Sequence, residues 1–101
     1  MLFRSRSLFE RTGWSPHEVD RYEVNEAFAV VTMAAMDAFD LPEDRVDVLG
    51  GAVALGHPIG ASGTRIVVTL LNALRIAGGR KGVAAICLGG GEGMALALET
   101  P

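Results

Sequence analysis

The sequence has 101 residues, half of them hydrophobic and 13 of them glycine, which fits one compact domain with an apolar core and excludes a disordered or collagen-like chain. Nine Lys+Arg against twelve Asp+Glu give a formal net charge of −3. Mild acidity argues against a nucleic-acid partner, whose phosphates call for a basic face.

Glycine placement divides the chain: Gly13 stands alone before residue 50, and the other twelve lie between Gly50 and Gly93. Residues 3–12 read as a helix closed by Gly13, with Trp14 as its anchor. Arg4, Arg6 and Arg11 form a solvated face. Ser15-Pro16-His17-Glu18 has a cap residue, a proline and an acid in the order that starts one helical turn, leaving His17 exposed. Val19–Val24 reads as a strand. Asn25 or Glu26 then opens a helix to about Phe39. Only Thr32 and Asp37 are polar between Ala27 and Phe39, so this helix is expected to be buried on most sides, against a second domain or subunit. Leu41–Asp44 is a loop and Val46–Leu49 a short strand. A glycine-rich loop, Gly50–Gly60, leads into the clearest amphipathic helix, Ser62–Ala77, whose stripe is Val67, Leu70, Leu71 and Leu74, with Arg65, Asn72 and Arg75 elsewhere. Gly78-Gly79 ends it, with Arg80-Lys81 placed favourably beyond its C-terminus. Val83–Leu88 and Met94–Glu99 form an antiparallel hairpin around a glycine turn.

The order α-β-α-β-α-β-β predicts an α/β fold with layered helices on a mixed, mostly parallel sheet. The alternation opens on a helix and has only four short strands. We therefore expect residues 1–101 to be one domain, the tail of something longer. One cysteine rules out an internal disulfide framework, and one Cys with two His is too few for a structural zinc site, so no metal is expected. A free thiol suits a reducing, cytoplasmic setting. The longest uncharged stretch, Val48–Thr64, holds five glycines, a proline and a histidine, which is no membrane helix. Met1–Arg6 lacks the apolar core of a secretory signal.

Three motifs can carry chemistry. In Gly56-His57-Pro58-Ile59-Gly60-Ala61-Ser62-Gly63, a histidine sits between a strand and a helix, where ligands bind in open α/β sheets. The helix N-terminus aims its positive dipole end at the same region. His57 reads either as an acid, base or hydrogen-bond donor, or as a loop residue that fills space. The glycine spacing is neither a dinucleotide fingerprint nor a P-loop. In Cys87-Leu88-Gly89-Gly90-Gly91-Glu92-Gly93, a thiol ends an apolar strand beside backbone N–H groups that can face an oxyanion. Buried free cysteines are also common in plain cores. In Val24-Asn25-Glu26-Ala27-Phe28-Ala29, Asn25 stands where an ordinary helix N-cap would, and Glu26 where the helix dipole welcomes an acid.

In this order, Asn25–Ala29, Gly50–Gly63 and Cys87–Gly91 resemble the C-terminal half of the thiolase family, the acetyl-CoA acetyltransferases and 3-ketoacyl-CoA thiolases. The resemblance runs from about Leu8 to Glu99. Ketoacyl carrier-protein synthases, which share the fold, carry a histidine motif in place of Asn25-Glu26-Ala27-Phe28. The resemblance implies an acyl-CoA C-acyltransferase of fatty-acid metabolism. Such enzymes cleave a 3-ketoacyl-CoA with coenzyme A or condense two acyl-CoA molecules. Coenzyme A is a substrate, and no further cofactor is expected. It implies that two similar halves enclose the site and that the nucleophilic cysteine lies in the N-terminal half. His57 would lower that cysteine's pKa and point a ring nitrogen at the thioester oxygen. Asn25 would hold a water in the same oxyanion hole. Cys87 would move a proton on or off the α-carbon. The Gly89 N–H would serve a second oxyanion hole, and Phe28 would touch the pantetheine arm.

The N-terminal half is absent from these 101 residues, so the chain alone is expected not to turn over 3-ketoacyl-CoA and to self-associate, as a homodimer, through the helix from Asn25 to Phe39. A non-catalytic standalone domain and one subunit of a split enzyme are the alternatives. Three further departures stand out: the first strand of the C-terminal half is missing, Leu49 stands where thiolases often carry a polar residue, and Glu92 lies in the last glycine turn.

Overall fold

The computed structural model describes residues 2–89 and 91–101; Gly90, within the last glycine motif, lies outside the described residues. Among the described residues, four helices run α1 Leu2–Thr12, α2 Ala29–Phe39, α3 Ala52–Leu55 and α4 Ser62–Ala77, and three strands run β1 Arg21–Val24, β2 Lys81–Leu88 and β3 Glu92–Glu99. Single 3-10 turns occupy Pro16–Glu18 and Glu43–Arg45. Strand order is β1-β2-β3. β1 lies parallel to β2, with Tyr22 opposite Val83, and β2 antiparallel to β3, with Ala84 opposite Leu96. The α/β class and the mixed sheet are as expected, with the one parallel pair joined by the long crossover through α2, α3 and α4.

Period-2 alternation gives the sheet two apolar faces. Tyr22, Val24 and Val83 pack with Leu8 and Phe9 of α1 and with Ala35, Met36 and Phe39 of α2. Ala84 and Ile86 turn the other way, onto Ile66, Leu70 and Leu74 of α4. The close seating of α4 requires glycine at residue 82, because a side chain there would press into Leu70 and Leu74 at about 3 Å.

Two expectations change. Val46–Leu49 is not a strand: it makes a single bridge, Tyr22 to Val46. The reason is Asp47, whose carboxylate, not a backbone carbonyl, accepts the Val24 N–H at 2.9 Å, while its own N–H donates to the Tyr22 carbonyl at 3.0 Å. Asp47 does this in a left-handed conformation, φ 47°, which aspartate tolerates better than most residues. Second, α2 opens at Ala29 with Phe28 as its cap residue, so Asn25 and Glu26 lie upstream of the helix. Within this chain α2 is covered on one side, which leaves its other faces for the second domain or subunit expected from the sequence. Of its residues only Thr32 and Ala35 are buried, and Val30 and Met33 are largely exposed. Its apolar content exceeds what this chain covers.

Leu70 has no exposed surface and sits at the centre of the α4 face. Leu70→Ala should therefore lower unfolding free energy by about 2–5 kcal/mol, read from urea denaturation followed by circular dichroism.

Candidate functional site

The site forms where β1, the glycine-rich loop and the first turn of α4 converge. Along β1, alternation puts Glu23 and Asn25 on the face that meets α4. Both are buried, Glu23 at 1% and Asn25 at 0% exposure. The Asn25 N–H donates to the Ala85 carbonyl of β2 at 2.9 Å, which carries the pairing of β1 one residue past its last ladder position. Asn25 caps no helix. Its side-chain Nδ2 lies 3.4 Å from both ring nitrogens of His57, and its Oδ1 accepts from Arg65 Nη2 at 3.4 Å. Glu26 does not cap α2 either. It accepts the Val53 N–H of α3 at 3.3 Å and crowds Gly51 so closely that any side chain at 51 would collide with its carboxylate.

His57 is exposed, lying over the Asn25 amide. Its Nδ1 is 2.6 Å from the Ser62 hydroxyl, which also stands 3.2 Å from the Pro58 carbonyl. The hydroxyl has one proton. Directed at Nδ1, it leaves the ring's own proton on Nε2; directed at Pro58, it leaves Nδ1 as the ring donor. The direction of the Ser62 hydroxyl and the tautomer of the ring are thus coupled.

A cleft of about 390 Å³ opens beside His57, and Cys87, Leu88 and Gly89 from the end of β2 line it with Ser62, Gly63 and Thr64 of α4. Residues His57, Cys87 and Gly89 therefore border one hollow, with Asn25 buried behind His57. Phe28 stands apart: it is largely exposed at the start of α2 and is not part of that lining. Glu92 lines a separate groove with Arg4 and Arg11 of α1. No group of His, Cys, Asp or Glu among the described residues could hold a metal ion.

Sequence reasoning missed the charged layer beneath. Arg65 Nη1 bonds Glu23 Oε1 and Thr69 Oγ1, each at 3.3 Å. The other Glu23 oxygen is buried without a partner. Burial, and then the nearby Asp47 charge, push the Glu23 carboxyl up to about 8 against the pull of Arg65. Burial likewise pushes Asp47 up to about 7, opposed by its bond from the Val24 N–H. The available signal was an acid two residues before Asn25, on the same face of the strand, and an arginine one turn into the helix that follows His57.

The family model described as thiolase, C-terminal domain, matches residues 2–100. The chain belongs to the thiolase family. It is 52% identical over 89 residues to the cytosolic acetyl-CoA acetyltransferase of Rattus norvegicus, covering 88% of this chain and 22% of that protein. It is 48% identical over 98 residues to a probable acetyl-CoA acetyltransferase of Escherichia coli (strain K12), covering 97% and 25%. The crystal structure of Acat5 thiolase from Ascaris suum in complex with coenzyme A superposes with a TM-score of 0.91 at 44% identity, covering 99% of this chain and 26% of that one. The chain thus spans about a quarter of the length of these relatives.

The two raised carboxyls give a pH dependence with a defined sign. In the folded thiolase domain they keep their protons well above the ordinary values of 4.5 and 3.8. The unfolded chain then binds fewer protons, so stability falls as pH rises. Glu18 and Asp20, both lowered, first by backbone hydrogen bonds, act in the opposite sense and only in the acid range. The melting temperature should fall between about pH 5 and pH 8, and Glu23→Gln should flatten that slope in a calorimetric pH series.

Proposed function

We propose that this domain supplies the histidine, the acid/base thiol and a backbone donor of an acyl-CoA C-acyltransferase, acting on acetyl-CoA and 3-ketoacyl-CoA thioesters. The observation that carries this is the shared cleft: His57, Cys87 and Gly89 line one hollow at the N-terminus of α4. Family membership and a close structural relative in complex with coenzyme A support the substrate class. The relative named as cytosolic supports a cytoplasmic setting, and no helix among the described residues is long and apolar enough to cross a membrane.

The chemistry fits these residue types. An α-proton of a thioester is too weakly acidic for an unassisted base, so donors must be waiting where the enolate oxygen forms. His57 fills that role in the tautomer with Ser62 donating to Nδ1 and the ring proton on Nε2. In cleavage, a nucleophilic cysteine from outside this chain takes the acyl group as the Cα–Cβ bond of the 3-ketoacyl-CoA breaks. The Cys87 thiol gives its proton to the departing carbanion. The resulting thiolate then takes the proton of the incoming coenzyme A thiol, which attacks the acyl-enzyme and releases the first cysteine. The Gly89 N–H faces the oxygen of that second tetrahedral species. Asn25 acts through His57, since the ring already occupies its amide; a water held by Asn25 would need the ring to move. Phe28 meets the pantetheine arm only from the outer surface, in company with parts of the enzyme beyond this chain. The exposed Val30 and Met33 of α2 would make that contact with the other half or with a second copy.

The test is reconstitution. This chain would be co-expressed with the portion of the Rattus norvegicus relative that it does not cover, and thiolysis of a 3-ketoacyl-CoA would be followed. Activity is expected with both pieces together and with neither alone. Cys87→Ala should lower thiolysis by about 10²–10⁴ while sparing acyl-enzyme formation from acetyl-CoA, and His57→Ala should impair both. A Cys87→Ala complex that keeps parental thiolysis would overturn the assignment, and association without activity would favour a non-catalytic domain.

A further inference from the structure

We propose that Arg65 and Glu23 form a positioning pair that fixes the orientation of the Asn25 amide and, through it, the seat of the His57 ring. This deepens the acyltransfer assignment and rests on it for its catalytic meaning.

The two ends of an asparagine amide differ little in shape; their partners decide which way it faces. A guanidinium has donors and no acceptor. With Arg65 Nη2 at 3.4 Å, the end of Asn25 turned toward it has to be the carbonyl oxygen, and the NH₂ end turns toward His57. That NH₂ lies 3.4 Å from each ring nitrogen, so it meets the ring in either tautomer and sets where the ring sits rather than which nitrogen carries the proton. A reversed amide would present an oxygen there and call for a ring N–H instead. The orientation of one buried amide therefore decides which group the His57 ring rests against.

Arg65 itself is held at three points. Nη1 donates to Glu23 Oε1 and to Thr69 Oγ1, and Nη2 to Asn25. Its supports sit on or beside rigid elements, Glu23 on β1, Asn25 one residue past its end and Thr69 one turn along α4. A stability role accounts poorly for this pair. Glu23 is buried with one oxygen unpartnered, and buried ion pairs add little over apolar packing. An apolar pair of equal volume would fill the space but could not orient an amide. A lysine could reach one partner, not all three, because only the planar fork spans them.

The test uses the 101-residue chain and nitrogen-15 NMR, with no turnover required. The readouts are the Asn25 side-chain NH₂ signals, their exchange with water, and the His57 ring-nitrogen shifts. Arg65→Met should shift the Asn25 pair, speed its exchange by about tenfold, the scale of one lost hydrogen bond, and move the His57 ring-nitrogen signals as the ring leaves its seat. Glu23→Leu should do the same, and Glu23→Gln, which keeps a carbonyl acceptor for Arg65, should restore the parental signals. Circular dichroism checks that each variant is folded. If Arg65→Met does not fold, Arg65→Lys is read in the same way. A folded Arg65 variant whose Asn25 and His57 signals match the parent overturns the positioning pair. That result would leave the acyltransfer assignment standing, whereas failure of reconstituted thiolysis with the NMR response intact would remove the assignment and leave the pair.

Discussion

A buried amide has to be answered on both ends, and the arrangement around Asn25 follows from that requirement. Leaving either end of it unpaired in a dry site costs on the order of 1–3 kcal/mol. The oxygen is answered by Arg65 and the NH₂ by His57, so a strand end, a helix and a glycine-rich loop are tied at one point. The loop alone has little to hold it, since most of Gly50–Gly60 is exposed. Its position comes from Asn25 and Ser62 at His57, and from Glu26 at Val53. Catalytic groups on loops depend on such ties to rigid elements for their placement.

The carboxyl groups near this point set its electrostatics. Glu23, Glu26 and Asp47 lie near enough for their charges to oppose one another, and the protein answers with one guanidinium. Holding Glu23 mostly and Asp47 partly protonated near neutrality keeps the three carboxyls from carrying full charge together. The same protonation gives the domain its decline in stability toward higher pH, so this charge pattern costs some folding free energy.

Much of the fold could be read in the sequence because it rests on local rules. Ser62–Ala77 has an apolar stripe and a double-glycine stop, and α4 has those same ends. The hairpin followed from two apolar runs around a glycine turn. The sequence reading failed where a side chain took over a backbone task. Val46–Leu49 has a strand's composition, yet Asp47 answers β1 with its carboxylate and stops the ladder after one bridge. Asn25 stands where a helix cap belongs, but tertiary partners outbid the local cap and the helix begins at Ala29. For the site, the motifs marked His57, Cys87, Asn25 and Gly89, and the cleft brings the first two and the last together. Arg65 and Glu23 escaped notice because each looks ordinary in its own element. Only the crossing of β1 with α4, forty residues apart in sequence, makes them neighbours of Asn25.

Asp47 has one more effect, on the outline of the molecule. With its carboxylate on the Val24 N–H and its own N–H on the Tyr22 carbonyl, it seals the free margin of β1. Lateral growth of the sheet past that margin would first have to evict a bidentate plug. Recruitment of a foreign strand, whether by a partner or in aggregation, is thereby steered away from the border nearest the reactive loop.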